Sequence, residues 1–373
     1  MFEQGLTVLR IRGIPVRLHL SLLVFLPYVA YVATRQYRYL GSRLGVGPED
    51  LHMPPAFWGI ILAVGLFVAV LAHELAHSLV AIRYGARVRS ITLMMLGGVS
   101  LIEDDLPPRK EAWMAFVGPL ASFGIAAVSY ALYRFVPLPA EVDIALFSFA
   151  VTNAALAIFN MLPAFPMDGG RVVRGVLAGR LGIERATLVA SRLGQAMAVL
   201  FAVWALWSFN IILLFIAWFV WAGAVAERQR LSILSALRGL HVTDFMSDRL
   251  GDAWIDEPVG EVLRRLARAG FAGARVLTRD AVDAPHVAGV VTAEALEGTA
   301  ERGGAGAPVS AAMDEAPRAV HAGDDATLAL GALSRGQGNA VVVLDAEDHV
   351  VGLVTAADIR RAVALGRLRE HRV

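Results

Sequence analysis

The sequence predicts a multi-span α-helical membrane protein that carries a soluble α/β module after its last span. Three observations predict it. Of 373 residues, 57% are hydrophobic and only 18% charged, and the mean hydropathy is +0.58, above that of soluble globular chains. The apolar excess is confined to about the first 226 residues, where long apolar runs recur. Residues 241–373 instead alternate charged, Gly-rich and short Val/Leu-rich stretches, and they repeat themselves once.

Residues 5–17 set Leu6, Val8, Ile14 and Val16 between Arg10 and Arg12, a period near two that predicts strand at the membrane surface. No small-residue cleavage site follows, so no cleavable leader is expected. About six segments long enough to span a bilayer come next, near 19–36, 55–83, 111–136, 142–162, 186–207 and 209–226. Alternate connections are rich in Lys and Arg, from Arg10, Arg12 and Arg17 to Arg228, Arg230 and Arg238. The positive-inside rule therefore puts both termini and the soluble module in the cytoplasm.

Two connections are unusual. Segment 91–103, ITLMMLGGVSLIE, reads as a hairpin broken at Gly97–Gly98 and dipping toward the membrane, where its backbone must be covered by protein or face water. Segment 163–171, PAFPMDGGR, stops a span with two prolines and two glycines, and sets Asp168 at the stop. Of the lone polar residues, His19 opens the first span, and Asn153 predicts a hydrogen bond between helices. Trp204, Trp207, Trp218 and Trp221 suit an interfacial belt.

The soluble part is a duplication. HVTDFMSD (241–248) with AGVVTAEAL (288–296) is echoed by PVSAAMDE (308–315) with VGLVTAADI (351–359), a period of about 65 residues. Each copy reads as a lead-in with Met, a helix, two short strands and a closing helix. The expected domains are a membrane domain over 1–226, a linker over 227–240, and repeats over 241–300 and 307–368.

Composition narrows the chemistry. With no cysteine, a disulfide or thiolate metal site is impossible, and a net charge of +1 gives no reason to expect a nucleic acid partner. In LAHELAHSLV (71–80), His73, Glu74 and His77 fit H-E-x-x-H on a helix. That spacing puts both imidazoles on one face, one turn apart, so their nitrogens can converge on one zinc ion. Glu74 adjoins the first of them and can take a proton from a water that the metal activates. Ionisable groups in hydrocarbon are expensive and default to function, which a proton relay or ion path would also satisfy. A regulated ion channel or transporter is therefore the alternative at this point. A catalytic zinc needs a third protein ligand; Asp168 is the best candidate, and a helix N-cap is its other reading.

HELAH together with FNMLPAFPMDGGR (159–171) resembles the site-2 protease family of intramembrane zinc metalloproteases, whose pattern joins HExxH to a distant N-x-x-P-x-x-P-x-D-G. RIRGIPVRLHLSLL resembles that family's opening, and MLGGVSLIE its membrane-associated hairpin. The resemblance covers about residues 5–226. It implies His73, His77 and Asp168 as ligands of one zinc, Glu74 as general base and acid, and Asn160 as a residue that binds the substrate strand or steadies the tetrahedral intermediate. It also implies regulated intramembrane proteolysis of a transmembrane or membrane-associated protein, such as an anti-sigma factor or transcription-factor precursor, within the lipid bilayer.

The soluble duplication resembles a tandem pair of CBS domains, the Bateman module, which commonly binds adenine nucleotides through G-x-x-T-x-x-D. The second copy has Gly352, Thr355 and Asp358 in register; the first has Gly289 and Thr292, with Ala295 in place of the acid. This implies ATP or AMP at the second copy, nucleotide regulation of the protease and a homodimer through the CBS pair. The same residues also read as a strand followed by a capped helix.

Overall fold

The computed structural model describes residues 5–46, 51–95, 97–102, 104, 106–278, 286–335 and 339–370. Strands β1 (Leu6–Ile11) and β2 (Ile14–Leu18) form a hairpin about Arg12 and Gly13, both with positive φ (51° and 85°), the condition of a tight hairpin turn. Helix α1 (Leu20–Arg43) follows directly, and His19 caps it: its Nδ1 accepts the Ser21 backbone N–H at 3.2 Å. The polar opening of this segment is thus used for a cap.

Proline sets the starts of the next helices. Helix α2 (Pro55–Arg83) begins on Pro55, α3 (Pro108–Phe135) on Pro108, and α4 (Ala140–Asn160) just after Pro139, positions where a missing N–H costs nothing. Between α2 and α3 run β3 (Val88–Met94) and β4 (Gly97–Ile102), the hairpin expected over 91–103; residues 96 and 103 lie outside the described set. The four strands form one sheet in the order β1-β2-β3-β4, with β2 and β3 parallel and the other pairs antiparallel, so β4 is an edge. Ile14, Ile91 and Leu93 bury one face of this sheet with Leu22 of α1 and Val70 of α2.

Helix α5 (Asp168–Trp207) is interrupted at Gly182, whose φ of 77° and ψ of 160° only glycine adopts easily. A shorter polar helix therefore precedes the apolar one. Helix α6 (Ile211–Leu237) follows a short turn and takes up most of the stretch expected as a linker. Five of the six long helices, α2 to α6, are long and apolar enough to cross a membrane. Helix α1 matches them in length, but Arg35, Gln36 and Arg38 break up its second half. Asn153, expected to bond across helices, donates instead to the Phe149 carbonyl of its own helix at 2.9 Å, a bond available to any amide one turn on.

The chain divides into two compact units, Met1–Gln229 and Arg230–Val373. The second holds the duplication. Its first copy comprises β5 (Leu250–Trp254), α7 (Val259–Ala269), β6 (Gly273–Thr278), β7 (His286–Thr292) and α8 (Ala293–Gly303). The second comprises β8 (Ala319–His321), α9 (Ala326–Arg335), β9 (Ala340–Leu344), β10 (Val350–Thr355) and α10 (Ala356–Glu370). Each copy has one more strand than the sequence reading expects: β8 has three residues, too few to show alternation, and β5 (LGDAW) carries Gly and Asp, residues poor in strands. They add in parallel to β6 and β9, giving two three-stranded sheets of matching topology. The lead-ins are exchanged: Ser247 of the first copy bridges Leu353 in β10, and Asp314 of the second bridges Val290 in β7.

Candidate metal and catalytic site

His73, Glu74 and His77 lie on α2 and are buried, in a helix whose remaining side chains are almost all apolar. Asp168 reaches them from the first position of α5. The cap position itself falls to Met167, and among the described residues the Asp168 carboxylate bonds the two imidazoles and not the helix's own N–H groups. Its Oδ2 lies 3.1 Å from His73 Nε2 and 3.2 Å from His77 Nε2, and the two Nε2 atoms are 3.1 Å apart. Among the described residues this is the one group of three or more His, Cys, Asp and Glu side chains whose ligand atoms converge for a metal. The double glycine after Asp168 allows the approach. A Cβ at Gly169 would run into the Met161 and Leu162 carbonyls, and one at Gly170 into the Ala164–Phe165 peptide.

Helix α3 holds the imidazoles from behind. His77 Nδ1 donates to the Met114 carbonyl at 2.7 Å, and His73 Nδ1 lies 2.9 Å from Ser122 Oγ. A carbonyl can only accept, so the Met114 bond puts the proton of a neutral His77 on Nδ1 and leaves the Nε2 lone pair for a metal. Gly118, one turn after Met114 and one before Ser122, keeps space beside both rings: a Cβ there would press on His77 and lie 2.8 Å from His73 Nε2. The set fits zinc on its own geometry. Ligands about 2.0–2.1 Å from a tetrahedral zinc stand about 3.3–3.4 Å apart, close to the three separations here.

The Glu74 side chain lies against β4. Its Oε2 accepts from Ser100 Oγ at 2.7 Å, and a Cβ at Gly98 would overlap its side chain. Asn160 ends α4 and spends one N–H on the Leu156 carbonyl at 3.0 Å. All five residues line one cavity of about 430 Å³, with Gly97, Gly98 and Val99 of β4 on one side and apolar Val70, Met94, Leu156 and Phe219 elsewhere. Near the site, Arg174 of α5 pairs with Glu111 of α3 and Glu227 of α6, and its guanidinium lies 5.2 Å from the Phe165 ring, in the loop before Asp168. This cluster ties three helix segments to that loop.

Sequence reasoning missed the α3 face and Ser100. The face did carry a signal, since Met114, Gly118 and Ser122 recur every four residues in an otherwise apolar span. Ser100 carried none.

In the soluble unit, the three residues expected at a nucleotide are also brought together, but they are bonded among themselves. Asp358 is buried; its Oδ2 accepts the Thr355 N–H (2.9 Å) and Oγ1–H (2.7 Å), and its Oδ1 accepts from Ser247 Oγ (3.0 Å) and Arg361 (3.1 Å). Gly352 lies against Met246 and the Ser247 carbonyl. A cleft of about 310 Å³ opens instead at the equivalent position of the first copy, beside Thr292, Ala295, Met313 and Asn339.

Comparison with known proteins bears on both units. The profile of peptidase family M50 matches residues 61–143 and 138–201, and the CBS domain profile matches 309–365, the second copy only. A zinc metalloprotease of Methanocaldococcus jannaschii is 30% identical over 243 residues, 65% of this chain and 66% of that one. A second protein of that organism is 31% identical over 134 residues, which cover 70% of its length. The chain belongs to peptidase family M50. The solved site-2 protease from M. jannaschii shares 31% identity over 60% of this M50 chain and 95% of the solved one, with a TM-score of 0.44. The chain spans just under two thirds of the length of the first metalloprotease. With M50 membership and five apolar helices, this is a multi-pass membrane protein with a C-terminal CBS module.

Proposed function

We propose that this M50 chain is an intramembrane zinc endopeptidase that cuts a transmembrane or membrane-associated protein. The observation that carries the reading is the convergence of His73 Nε2, His77 Nε2 and Asp168 Oδ2 to within 3.1–3.2 Å beside Glu74, in a cavity bordered by a sheet edge. When bound, zinc supplies Lewis-acid polarisation of a peptide carbonyl and lowers the pKa of a water. His73, His77 and Asp168 would hold it. Glu74 removes a proton from the attacking water and delivers it to the leaving amine, so one carboxylate serves as base and then as acid. Asn160 keeps a second N–H for the oxygen on which negative charge develops.

A carbonyl bonded within a helix is shielded from attack, so the substrate must be locally extended at the site. Strand β4 is an edge, and residues 97–100 line the cavity, which suits addition of the extended segment as a further strand. The bias of Lys and Arg supports cytoplasmic termini and a cytoplasmic CBS module. For that module the reading is adenine nucleotide regulation and CBS-mediated dimerisation. With Asp358 saturated by Thr355, Ser247 and Arg361, the nucleotide has to enter the cleft at the first copy or displace Ser247. Proteolysis unchanged across a titration of ATP and AMP, with binding confirmed by calorimetry, removes the regulatory part.

The central test is zinc content and cleavage of a generic transmembrane reporter by the detergent-purified full chain. Wild type is expected to hold about one zinc and to cut. Glu74→Gln keeps the zinc and loses about 10²–10⁴-fold in rate, whereas Asp168→Ala loses both. Normal cutting by Glu74→Gln, or a wild type without zinc, overturns the reading and makes ion flux the next assay.

A further inference from the structure

We infer that Ser100, on the edge strand β4, is a positioning residue for Glu74: its hydroxyl clamps one carboxylate oxygen so that the other is presented to the cavity. The inference rests on the proteolytic reading above. Three observations carry it.

The first is the bond itself. Ser100 Oγ lies 2.7 Å from Glu74 Oε2 and 3.3 Å from the Glu74 backbone carbonyl. A hydroxyl has one hydrogen, and the shorter contact to a charged oxygen takes it. Glu74 Oε1 makes no hydrogen bond among the described residues and is the oxygen left for the water, since Glu74 lines the cavity with both histidines and Asp168.

The second is that the clamp is itself oriented. Ser78, one turn after Glu74 on α2 and fully buried, donates to Ser100 Oγ at 3.1 Å. With Ser78 donating to its oxygen, the Ser100 hydroxyl keeps its hydrogen toward the carboxylate.

The third is the packing of β4. Gly98 and Ser100 are two residues apart on one strand and share a face. The first has no side chain where Glu74 lies, and the second has one that bonds it. A glutamate with three rotatable bonds otherwise samples several rotamers, and a general base displaced by about 1 Å loses on the order of 10²-fold in rate. The strand suited to receive the substrate thus also fixes the base, so substrate and proton acceptor are registered on one element.

The experiment compares wild type, Ser100→Ala, Ser100→Thr, Ser78→Ala and Glu74→Gln as full-length protein in detergent, reading zinc content, kcat and KM on a transmembrane reporter. Ser100→Ala is expected to keep one zinc and an unchanged KM while kcat falls roughly 10- to 100-fold, the range seen when a group orienting a site residue is removed. Ser100→Thr, which restores the hydroxyl, recovers most of kcat. Ser78→Ala loses a few-fold alone and nothing further when added to Ser100→Ala. A Ser100→Ala protein with wild-type kcat, with a raised KM in place of a lowered kcat, or with lost zinc overturns the inference, as does failure of Ser100→Thr to recover. Glu74→Gln separates the two levels: if it cuts like wild type, the proteolytic reading fails and this inference with it, whereas an inactive Glu74→Gln beside a fully active Ser100→Ala refutes the role of Ser100 alone.

Discussion

Two buried polar clusters, one in each unit, are built on opposite principles. Around Asp358 every acceptor meets a hydrogen: Thr355 supplies two, Ser247 one and Arg361 another. Around Asp168 the atoms that converge are Nε2 of His73, Nε2 of His77 and a carboxylate oxygen, and the Met114 carbonyl draws the His77 proton to the far side of its ring. A cluster whose donors and acceptors balance is complete as it stands, whereas one that gathers lone pairs calls for a cation. Burial of polar groups does not separate a structural cluster from a metal site. The balance of hydrogens and lone pairs does.

The largest effect that tests this contrast is expected at Gly118. Gly118→Val sets a branched side chain against both imidazoles, and atomic absorption on the purified protein should find less than about a tenth of the wild-type zinc, as for loss of a ligand-orienting group. Normal zinc would mean that the lone pairs do not mark the metal position. A smaller effect belongs to the soluble unit. Asp358→Ala leaves the half-buried Thr355 and Ser247 donors without their acceptor and should cost that unit about 1–3 kcal/mol in chemical denaturation. An unchanged midpoint together with lost ATP binding would make Asp358 a ligand residue and break the comparison.

The smallest effect sharpens it at the surface. The guanidinium of Arg265 holds the Glu257 carboxyl below its usual range, helped by the Trp254 N–H. A depressed folded value means stability that is present above the unfolded value of about 4.5 and lost as pH falls through the folded one. Glu257→Gln should therefore flatten the stability of the soluble unit below about pH 4.5, by less than about 1 kcal/mol because the pair is partly exposed. Retention of the wild-type acid slope would assign it to other carboxylates.

Much of the site was readable in the sequence, and the unread part has a common cause. His73 and His77 share a face because four residues make about one helical turn, which no later packing alters. Asp168 was singled out by a proline- and glycine-rich stop, but proposing it as a ligand in place of a cap needed the resemblance to site-2 proteases, since the first turn of a helix suits an acid either way. Ser122 and the Met114 carbonyl escaped notice because, beyond the four-residue recurrence along α3, a serine or a backbone oxygen in an apolar span has no signature of its own. At Asp358 the signature was legible while its saturation by Ser247, 111 residues away, was not.

By itself the sequence determined the apolar spans, the duplication, the helix starts at proline and the pairing of two imidazoles one turn apart. These follow from composition and local backbone geometry. Only the tertiary structure decided that Asp168 meets both histidines, that α3 turns the His77 lone pair inward, and that Ser100 reaches Glu74 from a strand edge. Each of those contacts joins residues 26 to 95 positions apart, and it exists only because helices and sheet pack to leave their side chains no other place.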